Sequence, residues 1–499
     1  MHQRVEHQQE FGMNQSSSQQ RRHLLGGTTR VFLADALILP AGLVIVMFLT
    51  RRLGPDGYGL FALAAAFITS VELIISSFFT RATIKFISEA TDWRPVGNVV
   101  MRLHLTTSVG TALLVFISAD AIGTLLNEPE LASYLQLFAL DIPLFSLATA
   151  QRNVLIGLGG FSQRAIIGAA QCLTRLVLIL VLVELGFSVP GAILGGIGAS
   201  LAGMIIGRYY VRLSPFRRST FTARQLFGYA VWLFLFSIGI IVYNKLDLFM
   251  LKILGGTAEQ AGIYGAAQNL AHIPYIFSLS FAPLLLSTLS RMLRAGDDLA
   301  ARELGRDAMR LVICLLPFAG MTAGAAREVV VLIFSRPYIS AGSILAVLIF
   351  AALGIVMISV NTAILTAAGK PRWTFTLTGP LIPLALLGHF VLIPRMGPVG
   401  ASLTNTLFAI LGGCGTVFAV YRVWRVLPPV WSLVRSILIS GVAFTLAALW
   451  STPSLLLFLK LPLIVLFIPL AFLLLGEFKA DEIAYLRSVF SRQPRTEHS

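Results

Sequence analysis

Apolar residues run along the chain in blocks of about twenty between Val31 and Leu475, broken by short polar stretches and showing no alternation. A block of that length crosses the roughly 30 Å hydrocarbon core of a bilayer as a helix. Barrel strands would be about ten residues long and would alternate in polarity. The blocks predict helices near 31–50, 58–79, 98–118, 131–150, 165–185, 190–207, 226–244, 263–288, 308–326, 342–366, 373–393, 399–421, 433–451 and 454–475. Lipid offers the backbone no hydrogen-bond partners, so each span must satisfy its own. The expected class is an all-α integral membrane protein with fourteen transmembrane helices.

Composition agrees. A chain of 499 residues would ordinarily suggest about three soluble domains, but 56% of it is apolar, only 12% is charged, and the mean hydropathy is +0.82. An average soluble domain carries about twice that charge. A soluble enzyme, a nucleic-acid-binding domain and a disordered protein are all excluded. The fourteen spans leave two tails and short loops, with no separate extramembrane domain.

The net charge of +15 has a topological reading. If the N-terminus is cytoplasmic, 28 Lys and Arg residues fall in inside segments and 8 in outside ones, with Arg102 and Arg175 inside spans. That bias places both termini in the cytoplasm. The basic stretches 208–224 and 291–310 then serve topology and anionic-lipid attraction rather than nucleic acid. Cys172, Cys314 and Cys414 all lie in apolar runs and read as small buried hydrophobes. Residues 1–29 are rich in Gln and Ser, carry no signal-peptide pattern, and are expected to be a disordered cytoplasmic tail.

Punctuation recurs at a nearly constant offset. Leu53-Gly54-Pro55-Asp56-Gly57-Tyr58-Gly59 follows the first span, and Leu254-Gly255 with Gly262-Ile263-Tyr264-Gly265-Ala266-Ala267 follows the seventh; Tyr58 and Tyr264 are 206 apart. Gly159-Gly160-Phe161-Ser162-Gln163-Arg164 matches Ala368-Gly369-Lys370-Pro371-Arg372, with the two arginines 208 apart. Gly186-Phe187-Ser188-Val189-Pro190-Gly191-Ala192 matches Gly397-Pro398-Val399-Gly400-Ala401 at an offset of 211. Six spans separate each pair, so the repeats are parallel and related by an axis along the membrane normal. The expected domains are two pseudo-symmetric six-helix bundles, 30–212 and 213–425, two additional helices in 426–476, and a cytoplasmic tail, 477–499. Within 477–490, Phe478, Ile483, Leu486, Val489 and Phe490 suggest an interfacial helix.

These residues carry a resemblance. The 53–64 stretch is similar to the helix 1–2 junction of oligosaccharide flippases in the polysaccharide transporter branch of the MOP superfamily (multidrug, oligosaccharidyl-lipid, polysaccharide). Lys245-Leu246-Asp247-Leu248-Phe249-Met250-Leu251 with 262–267 resembles that family's helix 7–8 signature. Ile333-Phe334-Ser335-Arg336-Pro337-Tyr338-Ile339-Ser340-Ala341 resembles its loop before helix 10, with Ser335 where Gly is more usual. The resemblance implies a MATE-like MOP fold that moves undecaprenyl-diphosphate-linked or related lipid-linked oligosaccharides across the bacterial cytoplasmic membrane. It also implies membrane lipids and polysaccharide polymerase or assembly proteins as partners.

Ionisable groups inside spans are costly and are functional candidates by default. Arg175 lies mid-span: it is either a cavity cation for a lipid diphosphate, suited by its bidentate fork, or the partner of Asp141 or Asp35. Arg102 is a second cavity cation or an interfacial anchor. Arg81 and Lys85, one turn apart, either capture the headgroup from the cytoplasmic leaflet or are ordinary anchors. Asp35 is either a proton or Na⁺ site that drives the cycle or an Arg partner. Lys245 and Asp247, two residues apart, do not face each other on a helix. Asn269 and His272 line helix 8, and His104 and His272 are packed residues or proton relays. No cofactor and no metal are expected: the phosphate-loop, HExxH and CxxC patterns are absent from the sequence.

A cation-coupled multidrug exporter of the same superfamily is the rival reading; it would depend on acidic rather than basic cavity residues. A lipid-linked-glycan polymerase or ligase would need a large outer loop, and the longest here, near 245–262, is under twenty residues. A structural scaffold for glycan assembly is the third alternative.

Overall fold

The computed structural model describes residues 2–217, 221, 245–370, 372–450 and 456–478, with side chains from Pro40 onward except at 276, 277, 279, 280, 374, 375 and 378. Every regular element among them is helical. In chain order they are α1 (His2–Glu89), α2 (Trp93–Leu125), α3 (Glu130–Phe138), α4 (Asp141–Gly157), α5 (Phe161–Leu182) and α6 (Ser188–Tyr210). Then follow α7 (245–253), α8 (Ala258–Ala271), α9 (Ile273–Arg294), α10 (Asp298–Ile313), α11 (Leu316–Gly324) and α12 (Ala326–Phe334). The last are α13 (Ala341–Ala367), α14 (Arg372–Thr378), α15 (Leu381–Met396), α16 (Pro398–Trp424), α17 (Val430–Leu449) and α18 (Leu457–Leu474).

In thirteen of the fourteen predicted runs the described residues are mostly helical; 226–244, 451 and 454–455 lie outside the described residues. Among the described residues, nine helical paths are long and apolar enough to cross a membrane. Two of these, Pro40–Glu89 and Phe161–Tyr210, are 50 residues long, or about 75 Å at 1.5 Å per residue, more than twice a bilayer core. Each contains a break: Gly54 sits at φ 69°, and Gly186 at φ 94° in a π-helical turn (Val183–Phe187) between α5 and α6. The helical path begins at His2, which departs from the irregular tail expected for 1–29; the stretch has no proline and few β-branched residues to oppose a helix.

Backbone geometry carries the internal repeat further than the sequence motifs do. Gly54 and Gly255, Gly159 and Gly369, and Gly186 and Gly397 all have positive φ. Asn127 (φ 53°), two residues before Pro129, corresponds to Ser335 (φ 83°), two residues before Pro337. Asp92 caps α2 through the Arg94 amide, and Asp297 caps α10 through the Ala300 amide, each at 3.1 Å. These five pairs mark five successive turns of each repeat, their offset growing from 201 to 211 as a few residues are inserted. A left-handed turn costs least at Gly and Asn, so Ser335 is the one costly member.

The chain divides into two compact units, Met1–Gly262 and Ile263–Ser499. In the first, α1, α4, α5 and α6 pack on one another and α2 packs on α4. Its core at the α2 N-terminal end joins Ala82, Ile87, Val96, Val100, Met101, Val154, Ile167 and Leu213. The second unit centres on α13, which packs on α16, α9 and α11, with α17 against α11 and α18 against α17. Lipid gives apolar faces no reason to associate, so close packing of small residues must. A Cβ on Gly354 would lie 2.6 Å from the Ala409 carbonyl oxygen of α16, and one on Gly320 would lie 2.3 Å from the Ser440 hydroxyl of α17.

The segment 245–262 groups with the first unit although the repeat assigns it to the second half. Buried Lys252 on α7 donates to Glu128 in the α2–α3 turn at 2.7 Å and to the Gly256 carbonyl at 2.7 Å. A Cβ on Gly59 would meet the Ala258 oxygen at 1.8 Å, so α1 and the start of α8 touch backbone to backbone. Residues 245–253, read from the sequence as loop, are helical.

Candidate functional site

The α5 helix shows why Arg175 matters. At about 100° per residue, exposed Ile166, Leu173, Val177 and Val181 fall within an arc of about 80°. That stripe is the face a lipid tail would cover. Buried Ala165, Ile167, Gln171 and Ile179 occupy the opposite face, and Arg175 sits at the middle of it, between Gln171 and Ile179 one turn to either side. Yet Arg175 is exposed. Its guanidinium therefore reaches open space from the protein-facing side of α5.

Two buried carboxylates lie within its electrostatic reach. Glu72 on α1 is 7% exposed and Asp141, the first residue of α4, is 3% exposed. Glu72 interacts with both Asp141 and Arg175, and Asp141 with Arg175. None of the three forms a direct ion pair with another. Glu72 Oε1 and Asp141 Oδ1 are buried without a hydrogen-bond partner among the described residues, and the buried Ser200 hydroxyl of α6 neighbours Asp141. A Cβ on Gly196, one turn before Ser200, would lie 4.0 Å from Asp141 Oδ2. Four helices thus converge two acids, one arginine and a serine in the first unit.

Two of these helices, α1 and α4, also carry polar pairs. His104 Nδ1 meets the Ser146 hydroxyl at 2.8 Å and its ring packs on Phe79 at 4.8 Å between centroids. Asn153 donates to the Thr80 hydroxyl at 3.0 Å. Glu72 escaped the sequence reading although it stands in the 58–79 run, where any charge is costly; that cost was the signal.

The other candidates lie elsewhere. Arg102 Nε donates to the Pro215 carbonyl at 2.9 Å and Nη2 to the Arg217 carbonyl at 2.5 Å, fastening the 211–217 segment to α2. Arg81 is exposed, nine residues and therefore about half a turn of azimuth from buried Glu72. Lys85 is half-buried, with its ammonium 5.8 Å from the Phe86 ring centroid. Lys245 is half-buried, whereas Asp247 is buried and accepts from the Leu248 amide at 2.8 Å. Asn269 donates to the Gly265 carbonyl, and His272 Nδ1 lies 2.8 Å from the Gln268 carbonyl. The Asp35 side chain lies outside those described.

Charge in the second unit is bound up differently. Glu477 receives Arg310 Nε at 2.7 Å and Arg435 Nη1 at 2.9 Å, and also pairs with Ser432. Burial disfavours its charge, but the hydrogen bonds from Ser432, Arg435 and Arg310 outweigh burial and hold the carboxyl below its ordinary range. Fully buried Lys460 on α18 pairs with Glu328 on α12. A cleft of ≈ 400 Å³ beside Glu477 is lined by Glu303, Arg306, Asp307, Arg310 and Arg435 among others. Its acids and bases are mixed, and two of its arginines are engaged by Glu477.

The fold and this site define a multi-pass membrane protein whose first unit holds intramembrane charges that close no ion pair with one another. The chain belongs to the polysaccharide biosynthesis protein family, whose model matches residues 48–343. It is 25% identical over 409 residues to the probable flippase AglR of Haloferax volcanii, covering 78% of this chain and 82% of that protein. An uncharacterized membrane protein of Methanocaldococcus jannaschii, MJ1068, is 24% identical over 203 residues, 40% of this chain and 38% of the other. Among solved structures, the lipid II flippase MurJ in an inward closed conformation superposes with a TM-score of 0.73 at 14% identity, covering 93% of this chain and 99% of the other. An inward-facing multidrug resistance MATE family transporter of the MOP superfamily gives 0.62 at 13% identity, covering 76% and 94%. The fold is therefore MurJ-like and MATE-like.

Proposed function

We infer that this protein moves a lipid-linked oligosaccharide across the cytoplasmic membrane for surface polysaccharide assembly, by alternating access. The observation that carries the reading is Arg175, exposed at the centre of the protein-facing side of α5 beside two buried carboxylates. A lipid diphosphate must exchange its hydration for protein donors as it crosses, and a guanidinium supplies a bidentate set. Family membership and likeness to a protein named as a probable flippase support the same substrate class. Undecaprenyl diphosphate is the carrier expected in bacteria.

The finer architecture belongs to this proposal: fourteen crossings, six-helix bundles over 30–212 and 213–425, the further pair in 426–476, and both termini in the cytoplasm. So do residence in the inner membrane, a transport rather than enzymatic role, and polymerase or assembly partners. Of the proposed cations, Arg175 is retained first. Arg102 is reassigned to holding the 211–217 segment, because its Nε and Nη2 donate to carbonyls of that segment. Arg81 and Lys85 remain candidates for headgroup capture, and Asp35 for cation coupling.

Depletion of the protein in its host tests the reading. A lipid-diphosphate-linked oligosaccharide should accumulate on the cytoplasmic face while the surface polysaccharide disappears. Unchanged glycan together with retained cationic dyes would replace it with the drug-exporter reading.

A further inference from the structure

The cleft beside Glu477 lies wholly within the second unit and has a volume of ≈ 400 Å³, room for about thirteen waters at about 30 Å³ each. It is built from α10, the start of α17 and the segment that follows α18. On α10, Glu303, Arg306, Asp307 and Arg310 are spaced at i, i+3, i+4 and i+7 and share one face of the helix. Arg310, at the buried end, turns to Glu477. Glu303 and Arg306 are exposed and close no ion pair among the described residues. Glu303 and Asp307 are like charges one turn apart, an unfavourable arrangement that a cation between them relieves. Three arginines and three carboxylates line the cleft, so it carries no net formal charge. A simple anion meets the carboxylates there and a simple cation the arginines, whereas a ligand bearing both signs satisfies each.

The α17 helix says where such a ligand comes from. It is long and apolar enough to cross a membrane, and exposed Val430, Trp431, Val434, Ile437, Leu438 and Val442 fall within an arc of about 140° at about 100° per residue. That arc is the lipid-facing side; buried Ser432, Ser436, Ile439 and Ala443 mark the other. Half-buried Arg435 stands at the border between the two. Trp431, in the first turn of α17, lines the cleft and is 73% exposed, as suits an aromatic ring at headgroup level. The cleft therefore borders the headgroup layer of the bilayer.

We propose that this cleft binds the headgroup of an aminophospholipid, a phosphodiester bearing a primary ammonium. The phosphodiester takes donors from Arg306 and from Arg435, which gives Glu477 its Nη1. The ammonium lies between Glu303 and Asp307, and the acyl chains run along α17 from Trp431 toward Val442. The diphosphate of a lipid-linked glycan is a poorer match, because it has no ammonium for the two acids. A bound headgroup joins α10 to α17 outside the Glu477 pairs, and so helps fasten the helices beyond the repeat to the second unit. The site does not depend on the flippase reading.

The test uses the full chain in detergent micelles, with phosphatidylethanolamine, phosphatidylcholine and phosphatidylglycerol of identical acyl chains added in turn. Native mass spectrometry counts the lipids retained, and thermal melting reads the stabilisation. Methylating the ammonium removes its three N–H donors, and phosphatidylglycerol has no ammonium. Wild type should therefore hold phosphatidylethanolamine about fivefold more tightly than either of the others, and melt higher with it. Glu303→Gln should lower that preference and leave phosphatidylcholine binding unchanged, whereas Arg306→Ala should weaken all three. Arg302→Ala, at an exposed α10 position outside the cleft, should change nothing. Glu303 and Arg306 are exposed, so both variants should melt as wild type does without lipid; if either does not fold, the wild-type comparison decides alone. Equal retention of phosphatidylethanolamine and phosphatidylcholine overturns the site, as does a preference that survives in the Glu303→Gln, Arg306→Ala double variant. Preference for phosphatidylglycerol overturns the assignment of the ammonium to the two acids. Displacement of phosphatidylethanolamine by an equal concentration of soluble glycerophosphoethanolamine overturns the membrane as its source.

Discussion

The middle of the first unit and the core of the second treat buried charge in opposite ways. In the second, Arg310, Lys460 and Glu477 are each tied into an ion pair, and the pairs fasten elements that lie outside the repeat: α17 and the segment after α18 through Glu477, α18 itself through Lys460. Elsewhere its buried polar groups include neutral pairs such as Asn361 with Thr416 at 3.1 Å. In the first, Glu72, Asp141 and Arg175 approach one another without closing a pair. Duplicated scaffolds thus carry different loads: paired charge fixes a structure, whereas charge left short of a partner is available to a ligand. The rim of the first unit follows the second unit's pattern, with Lys252 closed on Glu128.

Breaking a closed pair should cost stability rather than transport chemistry. The largest effect is expected for Lys460→Met, which removes the fully buried ammonium that pairs with Glu328 and should destabilise by about 3 kcal/mol, with recovery in the Lys460→Met, Glu328→Gln double variant. Thermal melting of the three proteins in nanodiscs measures both. Glu477→Gln comes next, at about 2 kcal/mol for weakened charged hydrogen bonds. Its folded carboxyl lies below the ordinary value of about 4.3. The stability it confers is therefore complete at neutral pH and is lost as pH falls through and below that value. Wild type should show this acid loss in melting between pH 6 and 3, and Glu477→Gln should lack it. Asn361→Ala should cost about 1 kcal/mol and leave glycan export intact, measured by melting and by surface polysaccharide. A strong export defect in a normally folded Asn361→Ala protein would blur the contrast between the units.

Much of this contrast can be read from the chain alone, and the rest has a physical reason for being hidden. Spans were legible because twenty apolar residues have few alternatives in lipid, and turns because Gly54, Gly159 and Gly186 recur as Gly255, Gly369 and Gly397. Of two further turn pairs, Asn127 with Ser335 was masked by differing residue types that solve one backbone problem, and Asp92 with Asp297 by differing flanking residues. Arg175 was legible as a lone mid-span charge. Its neighbours were not, since helix order does not say that α1, α4 and α5 bring Glu72 and Asp141 near it. Arg102 looked equivalent to Arg175 until the carbonyls of Pro215 and Arg217, more than a hundred residues away, were seen to accept from its Nε and Nη2. Lys252 and Gly59 hold 245–262 to the first unit through contacts that no local pattern announces.

The central claim is that the open charge cluster of the first unit, rather than the closed pairs of the second, handles the substrate. Arg175→Ala expressed in cells lacking the native protein tests it most directly, with lipid-linked oligosaccharide on the cytoplasmic face and polysaccharide at the surface measured together, and melting as the control for folding. Loss of a charged contact of about 2 kcal/mol should lower export by about thirtyfold while the protein melts as wild type does. Normal surface polysaccharide from a folded Arg175→Ala protein would contradict the account.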